Sequence, residues 1–208
     1  MRTTSAGLLA LATAVTSVVA FAAPASAADQ VTVQADLNGD GRLDRVVAET
    51  IAGNPNEQFL VATIRGIRLT AHAPLNSYTG VQPLRVVDLN DDGSDEVVVT
   101  ESVGANTVKF SVWGLYGGLR PVTLPDGSTL ALWEGGGISA LSGYGCEADG
   151  DARRLVTVRG LLDWDNGVYS GERVTYAVAD GVATETSRTP VVGPRTEPGF
   201  QVDPLACA

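Results

Sequence analysis

The chain has 208 residues, 44% of them hydrophobic, and carries 24 acidic side chains against 14 basic ones, for a formal charge of −10. No basic stripe exists to displace counterions from a polyanion, which argues against nucleic acid as a partner. Cations suit such a chain, and the blander reading of its charge is solubility.

Residues 1–27 read as a secretory signal peptide that is cleaved. Arg2 supplies a positive start, "GLLALATAVTSVVAFAA" is a short alanine-rich apolar run, and Ala25-Ser26-Ala27 places small residues at a cleavage site. A membrane anchor would need roughly 20 apolar residues, and no later stretch is long enough to span a bilayer. The expected product is therefore a secreted protein, residues 28–208, a length that fits one domain or a few small repeats.

Three similar units follow one another, with boundaries near 31–82, 83–141 and 142–208. The first is entered by the extended segment "VTVQA" and the acidic loop "DLNGDGRLDRVV" that begins at Asp36. It leaves through the β-branched run "RVVAE" and the irregular connection "IAGNPNEQ". The unit closes with "FLVATIRGIRLTAH", two alternating runs about a glycine, which is a hairpin signal. A second irregular connection, "HAPLNSYTGVQP", leads to "PLRVV" and a loop at Asp88, "DLNDDGSDEVVV", then to the hairpin "VKFSVWGLYGGLRPVTL". The third unit reads "SGYGC", "EADGDARRLVTV" from Glu147, and "RVTYAVADGVATETS". Successive loops start 52 and 59 residues apart, and the turn glycines Gly66, Gly118 and Gly181 fall 30, 30 and 34 residues into them. Helical periodicity is absent while Val, Thr and Gly are frequent, so the fold class is all-β, with short strands in three repeated units of loop, strand, spacer and hairpin.

The acidic loops explain why like charges crowd together. Calcium takes six to eight oxygens at about 2.3–2.6 Å, and one loop can supply them if its donors alternate with residues pointing away. In the first loop the donors are Asp36, Asn38, Asp40, the carbonyl of Arg42 and Asp44, with Gly41 at the sharp turn. In the second they are Asp88, Asn90, Asp92, the carbonyl of Ser94 and Glu96, with Gly93 at the turn and Asp95 as an alternative closer. Without a cation, each pair of carboxylates at 4 Å repels by roughly 4 kcal/mol at an effective dielectric of about 20. An EF-hand is excluded, because it needs glutamate at position 12 and then a helix; Val47 and Val99 stand there, followed by strand-like sequence. The bland alternative is a pair of metal-free acidic turns.

On these two loops and the hairpin that follows each, the chain resembles FG-GAP/VCBS repeats, the calcium-loop blades of integrin-α-type propellers and of many secreted bacterial proteins. The resemblance implies blade-like sheets with calcium held between adjacent strands. The third copy departs from it: Glu147, Asp149 and Asp151 remain, but Ala152 replaces the glycine, Leu155 replaces the closer, and Arg153 and Arg154 stand alongside. That loop is expected to hold little or no calcium. Three copies are also fewer than the roughly 4–8 blades that close a propeller.

Cys146 and Cys207 are the two cysteines, and an exported chain with an even count is expected to join them. Nothing forms a convincing catalytic set. His72 is the single histidine, and "GLYGG", "GGGIS" and "SGYG" lack the strand–glycine–helix setting of a phosphate loop. Asp163 and Asp165 read more cheaply as turn residues than as an acid–base pair, and Trp113, Trp133 and Trp164 as core fillers or packing under loops, with a sugar-stacking face as the alternative. The leading reading is a secreted calcium-binding module with a binding or structural role, for which an extracellular protein or glycan is a possible partner. Two alternatives stay open: a small carbohydrate-active hydrolase built on "WDNGVYSGERVTY", and an inhibitor or partner-binding protein.

Overall fold

Runs of Val, Thr and Leu that alternate with polar residues, turned back by glycine, can bury one face only by pairing edge to edge. The computed structural model, which describes residues 29–150 and 152–208, is accordingly all-β, with two short 3₁₀ turns near the C-terminus. Residues 1–27, expected to be the signal peptide, lie outside the described residues.

Strands β1 (Gln30–Ala35), β2 (Asp44–Ile51), β3 (Asn54–Ile64) and β4 (Ile67–Pro74) form a four-stranded antiparallel meander in chain order. Strands β5 (Arg85–Val87), β6 (Glu96–Val103), β7 (Thr107–Leu115) and β8 (Leu119–Pro121) form a second meander, and β10 (Ala140–Asp149), β11 (Ala152–Asp163), β12 (Val168–Ala179) and β13 (Val182–Gly193) a third. Strand β9 (Leu132–Gly135) pairs with both β7 and β10, which joins the last two meanders into one nine-stranded sheet. Among the described residues no barrel or propeller closes.

Gly66 and Gly181 sit in two-residue hairpins, where Ile64 pairs with Ile67 and Ala179 with Val182. Both follow a residue that is itself at positive φ, Arg65 and Asp180, as the tight hairpin turn requires. Gly118 turns β7 into β8. The segment "IAGNPNEQ" is not irregular as expected. It is a hairpin in which Ile51 pairs with Asn54, and the register shift beside Ile51 accommodates Pro55 where a ladder N–H is not needed.

Strand β6 is buried on both faces. Val97 and Val99 join Val46, Leu60 and Trp113 in a core against the first meander, while Val98 joins Phe110, Tyr144 and Leu155 in a second core against the third. The meanders thus lie as face-packed layers, and Gln58 ties the first to the second by donating to the carbonyls of Pro74 and Thr100. The C-terminal tail covers the outer face, where Phe200 packs on Leu141, Val158 and Tyr169. Gly143 and Gly145 let it approach closely: a Cβ at Gly145 would sit 2.6 Å from the Asp203 carbonyl oxygen. The disulfide between Cys146 and Cys207 forms, with Cα atoms 4.9 Å apart. Trp113 is buried, whereas Trp164 is 67% exposed at the β11–β12 hairpin tip, a correction to its expected packing role. A hairpin tip has no neighbouring layer to cover it.

Candidate metal centre

Both acidic loops are built alike. Ala35 pairs with Asp44 across the first and Val87 with Glu96 across the second, so the closing carboxylate is the first residue of the returning strand in each case. The leucine after the first aspartate anchors each loop. Leu37 plugs into the first core and Leu89 into the second, each burial worth about 1.5–3 kcal/mol. Gly41 and Gly93 have positive φ and open space where a Cβ would stand, so glycine is required there for backbone conformation rather than for room.

The hydrogen bonds repeat as well. Asp36 accepts from the N–H groups of Asp40 and Gly41, at 3.1 and 2.6 Å. Asp88 accepts from those of Asp92 and Gly93, at 3.2 and 3.1 Å. Asn38 donates to Asp40, and Asn90 to Asp92. The N–H of Arg42 bonds Asp40 and that of Ser94 bonds Asp92, at 2.9 and 2.8 Å. These bonds curl each loop about its own carboxylates, and an ionised carboxylate oxygen that accepts one N–H keeps a lone pair for a cation.

The closers lie deepest, Asp44 at 6% exposure and Glu96 at 3%. Burial pushes the Asp44 carboxyl up, and repulsion from Asp40 and Asp36 adds to it. Burial likewise pushes Glu96 up to about 7, with repulsion from Asp92 and Asp88, although the Tyr116 hydroxyl donates to it at 2.7 Å and the Leu89 N–H at 3.1 Å. Asp44 Oδ2 and Asn90 Oδ1 are buried without a hydrogen-bond partner. Among the described residues the other such atoms are Trp133 Nε1 and Glu101 Oε2, and Lys109 meets the latter at 2.7 Å. A buried acceptor among like charges is costly unless a cation joins it, so the donor set fits a hard divalent ion. As the side chains stand, no three His, Cys, Asp or Glu residues among the described residues are gathered as they would be around a metal.

The two loops differ in their neighbours. Arg65, on the β3–β4 turn, pairs with Asp40 Oδ2 at 2.6 Å and holds that carboxyl below its usual range. Arg153 serves the second loop from outside, donating to the Asp88 carbonyl at 2.7 Å and standing 3.5 Å from Asp91. The Cys207 carbonyl accepts from the Asp88 N–H at 2.8 Å, so the disulfide-held tail seats directly on the second loop. Asp95, the alternative closer, turns instead toward the first loop and accepts from the Asp36 N–H at 2.6 Å.

The third acidic segment has no comparable loop. Asp149, the last residue of β10, pairs with Ala152, the first of β11, and Asp151 lies outside the described residues. Arginines occupy its acids: Arg173 pairs with Glu147, and Arg154 with Asp149 at 3.0 Å. At the β11–β12 hairpin, Asp163 accepts from the main-chain N–H of Asp165 and from the Asn166 side chain, so it is engaged in turn geometry. His72 packs edge-on against Phe59 and pairs with Glu57.

The roles of Leu37 and Leu89 were open to sequence reading, since "DL" begins both loops. Those of Arg65, Arg153 and Asp95 depend on contacts between distant segments and left no local signal. No family model matches the chain, and searches of curated proteins and of solved structures return no match.

Proposed function

We propose that the protein is a secreted calcium-binding β-repeat module of the FG-GAP/VCBS kind, in which calcium fixes two D-x-N-x-D-G loops and so holds a binding or structural surface in place. The observation that carries this reading is Asp44, an acidic side chain buried at the strand entry with an unpartnered oxygen, in the loop that also holds Asp36, Asn38 and Asp40. The second loop supports it with the same hydrogen-bond pattern and a closer, Glu96, surrounded by like charge. The succession of three meanders supports the repeat reading, and the leader-like N-terminus and the disulfide support export.

Calcium in each loop neutralises the repulsion among its carboxylates and ties the loop to the strand it enters. Extracellular modules of this type bind in the range of about 10⁻⁴–10⁻³ M. At ten times the dissociation constant, one site adds about 1.4 kcal/mol to stability. Thermal melts of the exported chain test the proposal. The melting temperature should rise with millimolar calcium and return on addition of a chelator, and a melting temperature indifferent to both would overturn it.

A further inference from the structure

The two acidic loops touch, and one residue makes the junction. The Asp36 N–H donates to Asp95 Oδ2 at 2.6 Å, and the Asp95 N–H donates to the Asp36 carbonyl at 2.8 Å. Asp95 thereby engages both main-chain polar groups of the residue that supplies the first donor of loop one. The loops also meet one turn further on: a Cβ at Gly39 would lie 2.8 Å from Ser94 Oγ, so the approach admits only glycine without a shift. In its own loop Asp95 stands between Ser94, whose carbonyl is a donor, and Glu96, the closer. The backbone that an ion in loop two would fix is therefore the backbone that grips Asp36.

We infer that Asp95 is a positioning residue for the first calcium site, and that through it the two sites bind calcium with positive coupling. The inference rests on the calcium reading above, and on the buried, unpartnered Asp44 Oδ2 that points to a ligand in loop one. Ordering of Ser94–Glu96 by one ion orients Asp36 for the other, and linkage makes the benefit reciprocal. Asparagine at 95 keeps an acceptor for the Asp36 N–H and alanine does not, which separates the hydrogen bond from the charge.

Calorimetric calcium titration of the full exported chain tests this in the wild type, D95N, D95A and D92A, the last to disable loop two. Loop-one affinity should fall by about five- to tenfold in D92A and in D95A, and D95N should restore most of the loss. Because the coupling is reciprocal, loop-two affinity should fall along with loop-one affinity in D95A, whereas a merely structural role for Asp95 would show no rescue by D95N. That result, or a D95A titration identical to wild type, overturns the inference. Should D95A fail to fold, loop-one affinity in D92A decides alone, and equality with wild type overturns the coupling. A wild-type protein that takes up no calcium would instead defeat the calcium reading itself, and this inference with it.

Discussion

Replacing Cys146 and Cys207 by alanine removes a bond between residues 61 apart in sequence. In the chain-entropy description, a loop of that length stabilises the folded state by about 4 kcal/mol. For a domain of this size each kcal/mol moves the melting temperature by about 2–4 °C, so the fall should be about 8–16 °C. A local effect should accompany the global one. Cys207 is fully buried in the core that holds Leu89, and its carbonyl accepts from the Asp88 N–H at 2.8 Å and from Arg153 Nη1 at 3.2 Å. Without the tether the tail can leave, and Asp88 at the head of loop two loses its main-chain anchor. Melts at saturating calcium, followed by calcium titration, should show loop-two affinity reduced severalfold and loop-one affinity reduced less. An unchanged melting temperature would refute the entropic argument. A loss confined to loop one would refute the role assigned to the Cys207 carbonyl.

The remaining predictions concern the loops themselves. Asp40→Ala and Asp92→Ala should each remove one equivalent of bound calcium in a titration and reduce the calcium-induced rise in melting temperature. Arg65→Ala should tighten loop one at low salt, because the guanidinium competes for Asp40 Oδ2. Since its side chain is 65% exposed, the gain should be small and should fade at high ionic strength. The raised carboxyl of Glu96, about 7 against an ordinary 4.5, gives metal-free protein a stabilising contribution that is complete below pH 4.5. That contribution is lost as the pH rises through about 7, which melts in the presence of chelator at stepped pH should reveal. Because calcium needs the ionised form, loop-two affinity should be about tenfold weaker at pH 6 than at pH 8. Equal affinities at the two pH values would contradict the burial of Glu96.

What could be read from the sequence was whatever repeats at short range. The alternating polar side chains at Asp36, Asn38, Asp40 and their counterparts are visible because one tight loop dictates their spacing, and the hairpins at Gly66 and Gly181 because a positive-φ turn demands a particular residue. The all-β class followed from the same alternation and agrees with the observed sheets. The β2–β3 hairpin was hidden because Asn54, Pro55 and Asn56 have poor strand propensity; Asn54 is held by its pairing with Ile51, and the register shift carries Pro55 and Asn56 past the ladder. Trp164 misled for the opposite reason: an indole is usually buried, but its place at a hairpin tip leaves nothing to bury it. The grip of Asp95 on Asp36 spans 59 residues. No periodicity or motif encodes such a contact, because it arises only once the layers have stacked.

The most direct test of calcium-organised loops is the stoichiometry of calcium uptake by residues 28–208, measured by calorimetric titration from a chelator-stripped sample at pH 8. Two equivalents are expected, one lost in D40A and another in D92A. No heat of binding, with melts equally insensitive to the ion, would contradict it.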